Sequence, residues 1–229
     1  MPIYEYQCDV CNVLTEEMRK VDELVFLDIT ATQQQRDPDF DLIDDLADEC
    51  FMPLTVGGGI HYIGQVHKLL MAGADKVSVN STNVTRPKLI EEIATQFGSQ
   101  CCIASIDFRR HDDQRAEVFI RSGQMATGLD PVELARQVED LGAGEIILTS
   151  IERDGTMTGY DIDMIAAVSQ AVSIPVIASG GCSGFQDMDN ALREGGASAV
   201  ASAAIYHFTE QTPLEAKHYL AEAGHPIRL

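Results

Sequence analysis

The stretch PLTVGGGI, Pro53–Ile60, returns as PVIASGGC at Pro175–Cys182, an offset of 175 − 53 = 122 positions. In both copies a short apolar run feeds directly into consecutive glycines. That pattern marks a buried strand ending in a tight turn, where only a residue without a side chain lets the backbone come close to a neighbour. Two further pairs keep the spacing. VFLDIT at Val25 and ILTSIE at Ile147 are 122 apart, and MAGADKVSVNS around Gly73 returns as REGGASAVASAA around Gly196, 123 apart. One half-fold, present twice, accounts for all three pairs.

Outward from these runs, the chain alternates strand and helix. Continuous apolar stretches predict buried parallel strands at Glu23–Ile29, Pro53–Val56, Lys76–Asn80, Cys102–Asp107, Glu145–Ser150, Pro175–Ser179 and Ser198–Ala204. Segments with helical period lie between them at Ile63–Ala72, Pro87–Phe97, Pro131–Leu141 and Asp161–Val172. Strands alternating with helices of this length are βα units of a parallel sheet. Four strands per half make eight, so the expected fold is α/β, a (βα)8 TIM-type barrel. Its 229 residues suit one such barrel. The first unit breaks the pattern. The second half opens on the strand ending at Asp107, whose counterpart would end near 107 − 122 = −15, so the first βα unit is expected to be missing or replaced. The chain then divides into an atypical segment, residues 1–21, and a half-barrel-repeat domain, residues 22–229.

Composition narrows the function. With 36 acidic against 16 basic residues the net charge is −20, so no basic face is available for nucleic acid. No apolar run reaches the length of a membrane span and no secretory signal opens the chain, so a cytoplasmic location is expected. The six cysteines do not form a disulfide framework, and Cys50, Cys101 and Cys102 read as buried free thiols. The six histidines show no metal-ligand spacing, and neither metal nor cofactor is expected. A small anionic substrate remains compatible with this acidity, because backbone N–H groups can hold phosphate.

Barrels of this kind carry their chemistry at the C-terminal ends of the strands. There the repeat predicts two phosphate sites. One uses Gly58, Gly59, Asn80 and Ser81, and the other Asp154, Gly155, Gly180, Gly181 and the helix start at Ala203 and Ala204. A pair of anion sites suits a long substrate with a phosphate at each end. Three carboxylates, Asp28, Asp107 and Asp154, come to the same rim, where each can act as acid or base or simply cap its loop. Asp107 is the one expected to be catalytic, as it follows an apolar strand and precedes Arg109 and Arg110.

At these residues a resemblance emerges. DELVFLDITAT, PLTVGGGI, GADKVSVNS, FGSQCCIASID, GAGEIILTSIERDGTMTGYD, IPVIASGGCSG and YHF resemble the cyclase subunit of imidazole glycerol phosphate synthase, from about Asp22 to the C-terminus. The resemblance implies a lyase that takes ammonia from a glutaminase partner. It converts a bis-phosphorylated aminoimidazole-carboxamide ribonucleotide to imidazole glycerol phosphate and aminoimidazole-carboxamide ribotide. Asp107 matches one of that family's two acid–base aspartates. The phosphate loops carry over, with Ala204 where the family usually has a serine. At the opposite rim Glu23, Lys76 and Glu145 match three members of a charged ring that admits ammonia. The ring's arginine has no counterpart, and Asp75 matches a residue that helps dock the glutaminase. The sister isomerase shares the half-barrel repeat and both phosphate sites. A degenerate barrel that binds a phosphorylated ligand or a glutaminase without turnover is a further alternative.

Residues 1–20 do not resemble that family. PIYEYQCDVC is similar to the opening of a small zinc-ribbon family, but Cys8 and Cys11 lack the second Cys-x-x-Cys pair that a four-thiolate site needs. Two outcomes are open. Ile3–Cys8 forms a replacement strand with Thr15–Val21 as a short helix, which puts Asp9 where the strand-1 catalytic aspartate belongs. Otherwise the segment packs elsewhere and leaves an open seam in the barrel. The family's strand-1 lysine, which closes over substrate in a mobile loop, has no counterpart either.

Overall fold

The structure is a computed structural model that describes the backbone of residues 2–6 and then residues 21–228. Eight parallel strands form its ring: β1 (Pro2–Tyr6), β2 (Glu23–Leu27), β3 (Leu54–Gly57), β4 (Lys76–Val79), β5 (Cys102–Arg110), β8 (Glu145–Ser150), β9 (Val176–Ser179) and β10 (Ala199–Ala201). Each pairs with the next, β4 with β5 and β5 with β8 included. Among the described residues two further strands, β6 (Ala116–Ile120) and β7 (Met125–Ala126), continue from β5 as an antiparallel extension.

The ring closes through the atypical segment. β1 is parallel to β10, with Ile3 opposite Ala201, and parallel to β2, with Ile3 opposite Glu23 and Tyr6 opposite Phe26. This overturns the open seam: the edges of β2 and β10 are both occupied, so neither is a free template for another chain. The strand begins at Pro2, one residue before the expected start. The expected strand end at Cys8, the helix Thr15–Val21 and Asp9 lie outside the described residues.

The repeat is visible element by element. Shifting β3, α2 (Phe40–Glu49) and α3 (Ile63–Met71) by 122 gives the bounds of β9, α7 (Ile162–Ala171) and α8 (Phe185–Arg193). Shifting α4 (Ser81–Thr85) by 123 gives α9 (Ala204–Phe208). The symmetry fails in the first unit. Residues 7–22 join β1 to β2, whereas residues 111–144 join β5 to β8 and include both β6–β7 and α6 (Pro131–Asp140).

Apolar alternation makes two cores. Val25, Ile103, Ile147, Ile177 and Ala201 are buried together inside the ring. Other residues of the ring strands, including Leu24, Val56, Val77, Ala104, Ile146 and Val200, belong to the larger layer shared with the helices. The helices begin where caps dictate. Asp130 accepts from the N–H groups of Val132 and Glu133 ahead of α6, and Asp161 accepts from Met164 N–H ahead of α7. Thr212 and Glu215 form a reciprocal capping box at α10 (Pro213–Glu222). Cys102 and Cys182 are buried free thiols, and Cys50 and Cys101 are half-buried ones.

Closure by β1 predicts a backbone-specific sensitivity. Proline removes a ladder N–H and is tolerated essentially only at sheet edges. Glu5→Pro should lower the melting temperature by more than about 2–4 °C, the shift that about 1 kcal/mol produces in a chain of this size. Glu5→Ala is the control. Equal melting temperatures for the two variants would show that the segment does not close the ring.

Candidate active site

The two glycine turns are built alike. Gly58 and Gly180 have φ of 101° and 84°, in the left-handed region. A Cβ at Gly58 would stand 2.2 Å from the carbonyl oxygen of Asp28, and one at Gly180 would stand 2.7 Å from that of Ser150. Asp28 and Ser150 are themselves 122 apart. Gly59 and Gly181 repeat the pattern, against the carbonyl oxygens of Arg36 and Gly159. Each turn is therefore pressed onto the loop of the preceding strand, and no other residue type fits.

The second turn opens onto a small recess lined by Asp154, Gly155, Gly180, Gly181, Ala203 and Ala204. These are the six residues predicted to hold the second phosphate, and the fold brings all of them together. Four more line the recess that the sequence did not single out: Ser179, Cys182, Ala201 and Ser202. Ser179, Cys182 and Ser202 each lie next to a residue the repeat did predict, and Ala201 lies next to Ser202. Ser202 Oγ is buried without an ordinary hydrogen-bond partner among the described residues, with the Cys182 thiol beside it.

The first turn is more occupied. Gly59 N–H donates to Thr32 Oγ1 at 3.3 Å, Asn80 Nδ2 donates to the Ser105 carbonyl at 3.3 Å, and Ser81 Oγ accepts from Arg121 N–H at 3.0 Å. Asp28 is taken up by its own loop. Its Oδ1 accepts from Thr30 N, Thr30 Oγ1 and Ala31 N, and its Oδ2 pairs with Arg36 at 2.6 Å. The structure thus gives Asp28 the loop-capping role, with its charge spent on Arg36.

Asp107 is not at a strand end, as the sequence suggested. β5 runs three residues further because it continues into the pairing with β6, where Asp107 faces Phe119. Nor do the following arginines serve it. Arg110 grips Asp161 with two nitrogens, at 2.6 and 2.9 Å, and Arg109 stacks over the Phe119 ring at 4.8 Å. Asp107 keeps a partly exposed face at the mouth of the ring. Its pKa is pushed up to about 7, first by burial of the carboxyl and then by the nearby Asp154 carboxylate. Hydrogen bonds from Asn80 and Ser105 oppose the rise. Asp154 is also raised, by burial, against a hydrogen bond from Gly155 N–H. Burial of the Asp107 carboxyl and the neighbouring Asp154 together disfavour its ionisation, which poises it for proton transfer near neutral pH.

At the opposite mouth Lys76 Nζ bridges Glu23 Oε2 at 2.9 Å and Glu145 Oε1 at 2.8 Å, while Thr55 Oγ1 donates to Glu23 Oε1 at 2.5 Å. Burial pulls the Lys76 ammonium down, but its two glutamates outweigh this and leave its pKa above the ordinary value. Asp75 is exposed, and its Oδ2 accepts from Leu54 N–H at 2.8 Å.

The sequence reading missed the β6–β7 hairpin. AEVFI followed by RSG at 116–123 is a strand and turn signal of the kind that marks hairpins. No group of His, Cys, Asp and Glu among the described residues is arranged to hold a metal ion. Cys8 and Cys11, which carry the zinc-ribbon likeness, lie outside those residues. No described helix is long and apolar enough to cross a membrane.

Eight parallel strands with glycine turns and interacting carboxylates at one rim define the chain as a (βα)8 barrel with the layout of an enzyme. Comparison with protein families places it further: the model described as "Histidine biosynthesis protein" matches residues 5–212, and the chain belongs to that family. Its members are barrel enzymes of histidine biosynthesis, isomerases and cyclases among them. The match begins at Glu5, inside β1, well before the limit near Asp22 read from motifs alone.

Burial of Asp107, reinforced by Asp154, sets a titration. With a folded pKa near 7 and an unfolded value near 3.8, native Asp107 binds more protons than the unfolded chain between those limits. Its burial therefore costs stability progressively as pH rises from about 4 to 7. Asp107→Asn should gain denaturant resistance over wild type above pH 7 and match it near pH 4. Carboxyl NMR should place the Asp107 midpoint near 7 and lower it in Asp154→Asn. A midpoint in the ordinary carboxylate range would refute this electrostatic picture.

Proposed function

We propose that the chain is the ammonia-dependent cyclase of the family, a lyase fed by a glutaminase subunit. It forms imidazole glycerol phosphate and aminoimidazole-carboxamide ribotide from a bis-phosphorylated ribonucleotide. The observation that carries this reading over the isomerase is the Lys76 bridge between Glu23 and Glu145. An isomerase draws everything it needs from the substrate rim and can fill the far mouth with apolar side chains. A cyclase must admit ammonia from the far side, and a small charged ring there is a polar plug that can part.

The interior above the ring supports the same reading. Ser105, Thr149 and Ser179 each stand two residues beyond the interior residues Ile103, Ile147 and Ile177, so strand alternation turns their hydroxyls inward. They lie between the apolar core and the Asp107 rim, where a small polar molecule arrives.

In this reading the two glycine turns hold the two phosphates of one substrate. Gly59, Asn80 and Ser81 hold one end, and Asp154, Gly155, Gly181, Ala203 and Ala204 hold the other. Asp107 moves the proton, its pKa raised to about 7 by burial first and by Asp154 second. The partner acid or base falls to Asp9, outside the described residues. With Ala204 in place of a serine, the second cradle relies on backbone N–H groups. Asp75 and the Lys76 ring mark the side on which a glutaminase would dock.

Turnover with the bis-phosphate substrate and ammonium salts tests the proposal. Imidazole glycerol phosphate should accumulate, and Asp107→Asn should slow it by about 10²–10⁴-fold. Aldose–ketose isomerisation of the precursor without ammonium incorporation would assign the sister activity instead. Tight binding of the bis-phosphate with neither reaction would leave a degenerate binding barrel.

A further inference from the structure

The β6–β7 hairpin lies across the first cradle. Its tip touches both sides of it: Arg121 N–H donates to Ser81 Oγ at 3.0 Å, and Ser122 Oγ donates to the Ile29 carbonyl at 3.0 Å. Arg121, Ser122 and Gly123 have φ of 54°, 55° and 72°, three successive left-handed residues, two of them with side chains. Such a tip persists only where its surroundings fix it. The base of the hairpin is fixed in turn. Glu117 accepts from Gly128 N–H at 2.6 Å and bonds His111 Nε2 at 2.6 Å, and Arg110 is forked onto Asp161. Because β5 carries both Asp107 and the hairpin, the tip and the titrating carboxyl share one frame.

Two features of the tip point at an anion. A hydroxyl both accepts and donates. Ser81 Oγ accepts from Arg121 N–H, which turns its own proton away from the tip. That proton's one recorded acceptor among the described residues is Asn80 Oδ1 at 3.5 Å, the limit of a hydrogen bond. The second feature is charge. The other arginines near this rim are engaged: Arg36 with Asp28, Arg110 with Asp161, and Arg153 with the carbonyls of Gly159 and Tyr160. The Arg121 guanidinium is exposed and makes no ion pair among the described residues, in a chain with more than twice as many acidic as basic residues. Its backbone already touches Ser81, which places the long, exposed side chain beside that hydroxyl's surroundings.

We propose that Arg121 is a ligand-binding residue of the first cradle. Its backbone orients the Ser81 hydroxyl toward a phosphate monoester, and its guanidinium closes over the same group. The inference rests on the reading that each glycine turn holds a phosphate, and it makes the two ends unequal. The first end is gripped by charge supplied from the hairpin. The second, which no hairpin among the described residues crosses, is held by backbone N–H groups. The hairpin is thereby a specificity element: it demands a dianionic terminus at the end of the substrate nearest Ser81.

Titration of the full chain with inorganic phosphate, followed through the amide resonances of Gly59 and Gly181, tests this. Arg121→Gln should weaken phosphate at Gly59 by about tenfold, the effect of losing one charge-assisted contact, and leave Gly181 unchanged. Arg121→Lys should recover part of the loss, and only the Gly59 site of wild type should weaken steeply with added salt. A merely structural arginine would move neither the salt dependence nor the lysine rescue. Equal phosphate affinity at Gly59 in wild type and Arg121→Gln would overturn the role of Arg121 alone. Absence of any phosphate response at either glycine in wild type would overturn the cradle reading, and this inference with it.

Discussion

The rim of this protein depends on one close contact made twice. Gly58 is pressed onto the carbonyl of Asp28 and Gly180 onto that of Ser150, each in a left-handed conformation that a side chain would make impossible. The contact sets how far each βα turn can sink into the ring. From that follow the position of the N–H groups beyond it, the shape of the recess beside Asp154, and the height at which Asp107 sits between the two halves. Because the contact follows the repeat, the rim acquires two like-built glycine turns, the second of which opens onto a recess.

Symmetry of the scaffold does not make the two halves equal. The second half spends 34 residues, 111–144, between its first and second strands, and builds from them a hairpin and a helix. The first half spends residues 7–22 on the same crossing. The hairpin tip then reaches Ser81 and Ile29, so the longer crossing of one half leans on the rim of the other. Asp28 and Asp154 diverge in the same way. Asp28 is neutralised by Arg36 and its own loop, whereas Asp154 stays in a recess where burial raises its pKa.

Much of this was legible in the sequence. Together with the apolar runs, the spacing of the two glycine runs located seven strands to within a few residues, because buried strands and φ-positive turns leave a local signature. It also named six residues of the recess. What was not legible depends on partners remote in sequence. Arg110 follows Asp107 by three positions, yet its partner is Asp161, and nothing local to RR predicts that. Asp107 read as a strand end because the apolar run stops there, while the strand itself continues by pairing with β6. The hairpin fell outside the repeat, so no second copy drew notice to it. Closure by Pro2–Tyr6 is a matter of backbone pairing with β10 and β2, to which side-chain likeness is nearly blind.

The central claim is that one substrate spans both glycine turns. Calorimetric titration of the chain with the bis-phosphorylated ribonucleotide measures this directly. The account predicts one molecule bound per chain, with affinity lowered by at least about tenfold by Gly59→Val and likewise by Gly181→Val, since each substitution forces its turn off the loop it is pressed onto and so disturbs one of two required places. Two molecules per chain, or an affinity that responds to one glycine and ignores the other, would contradict it.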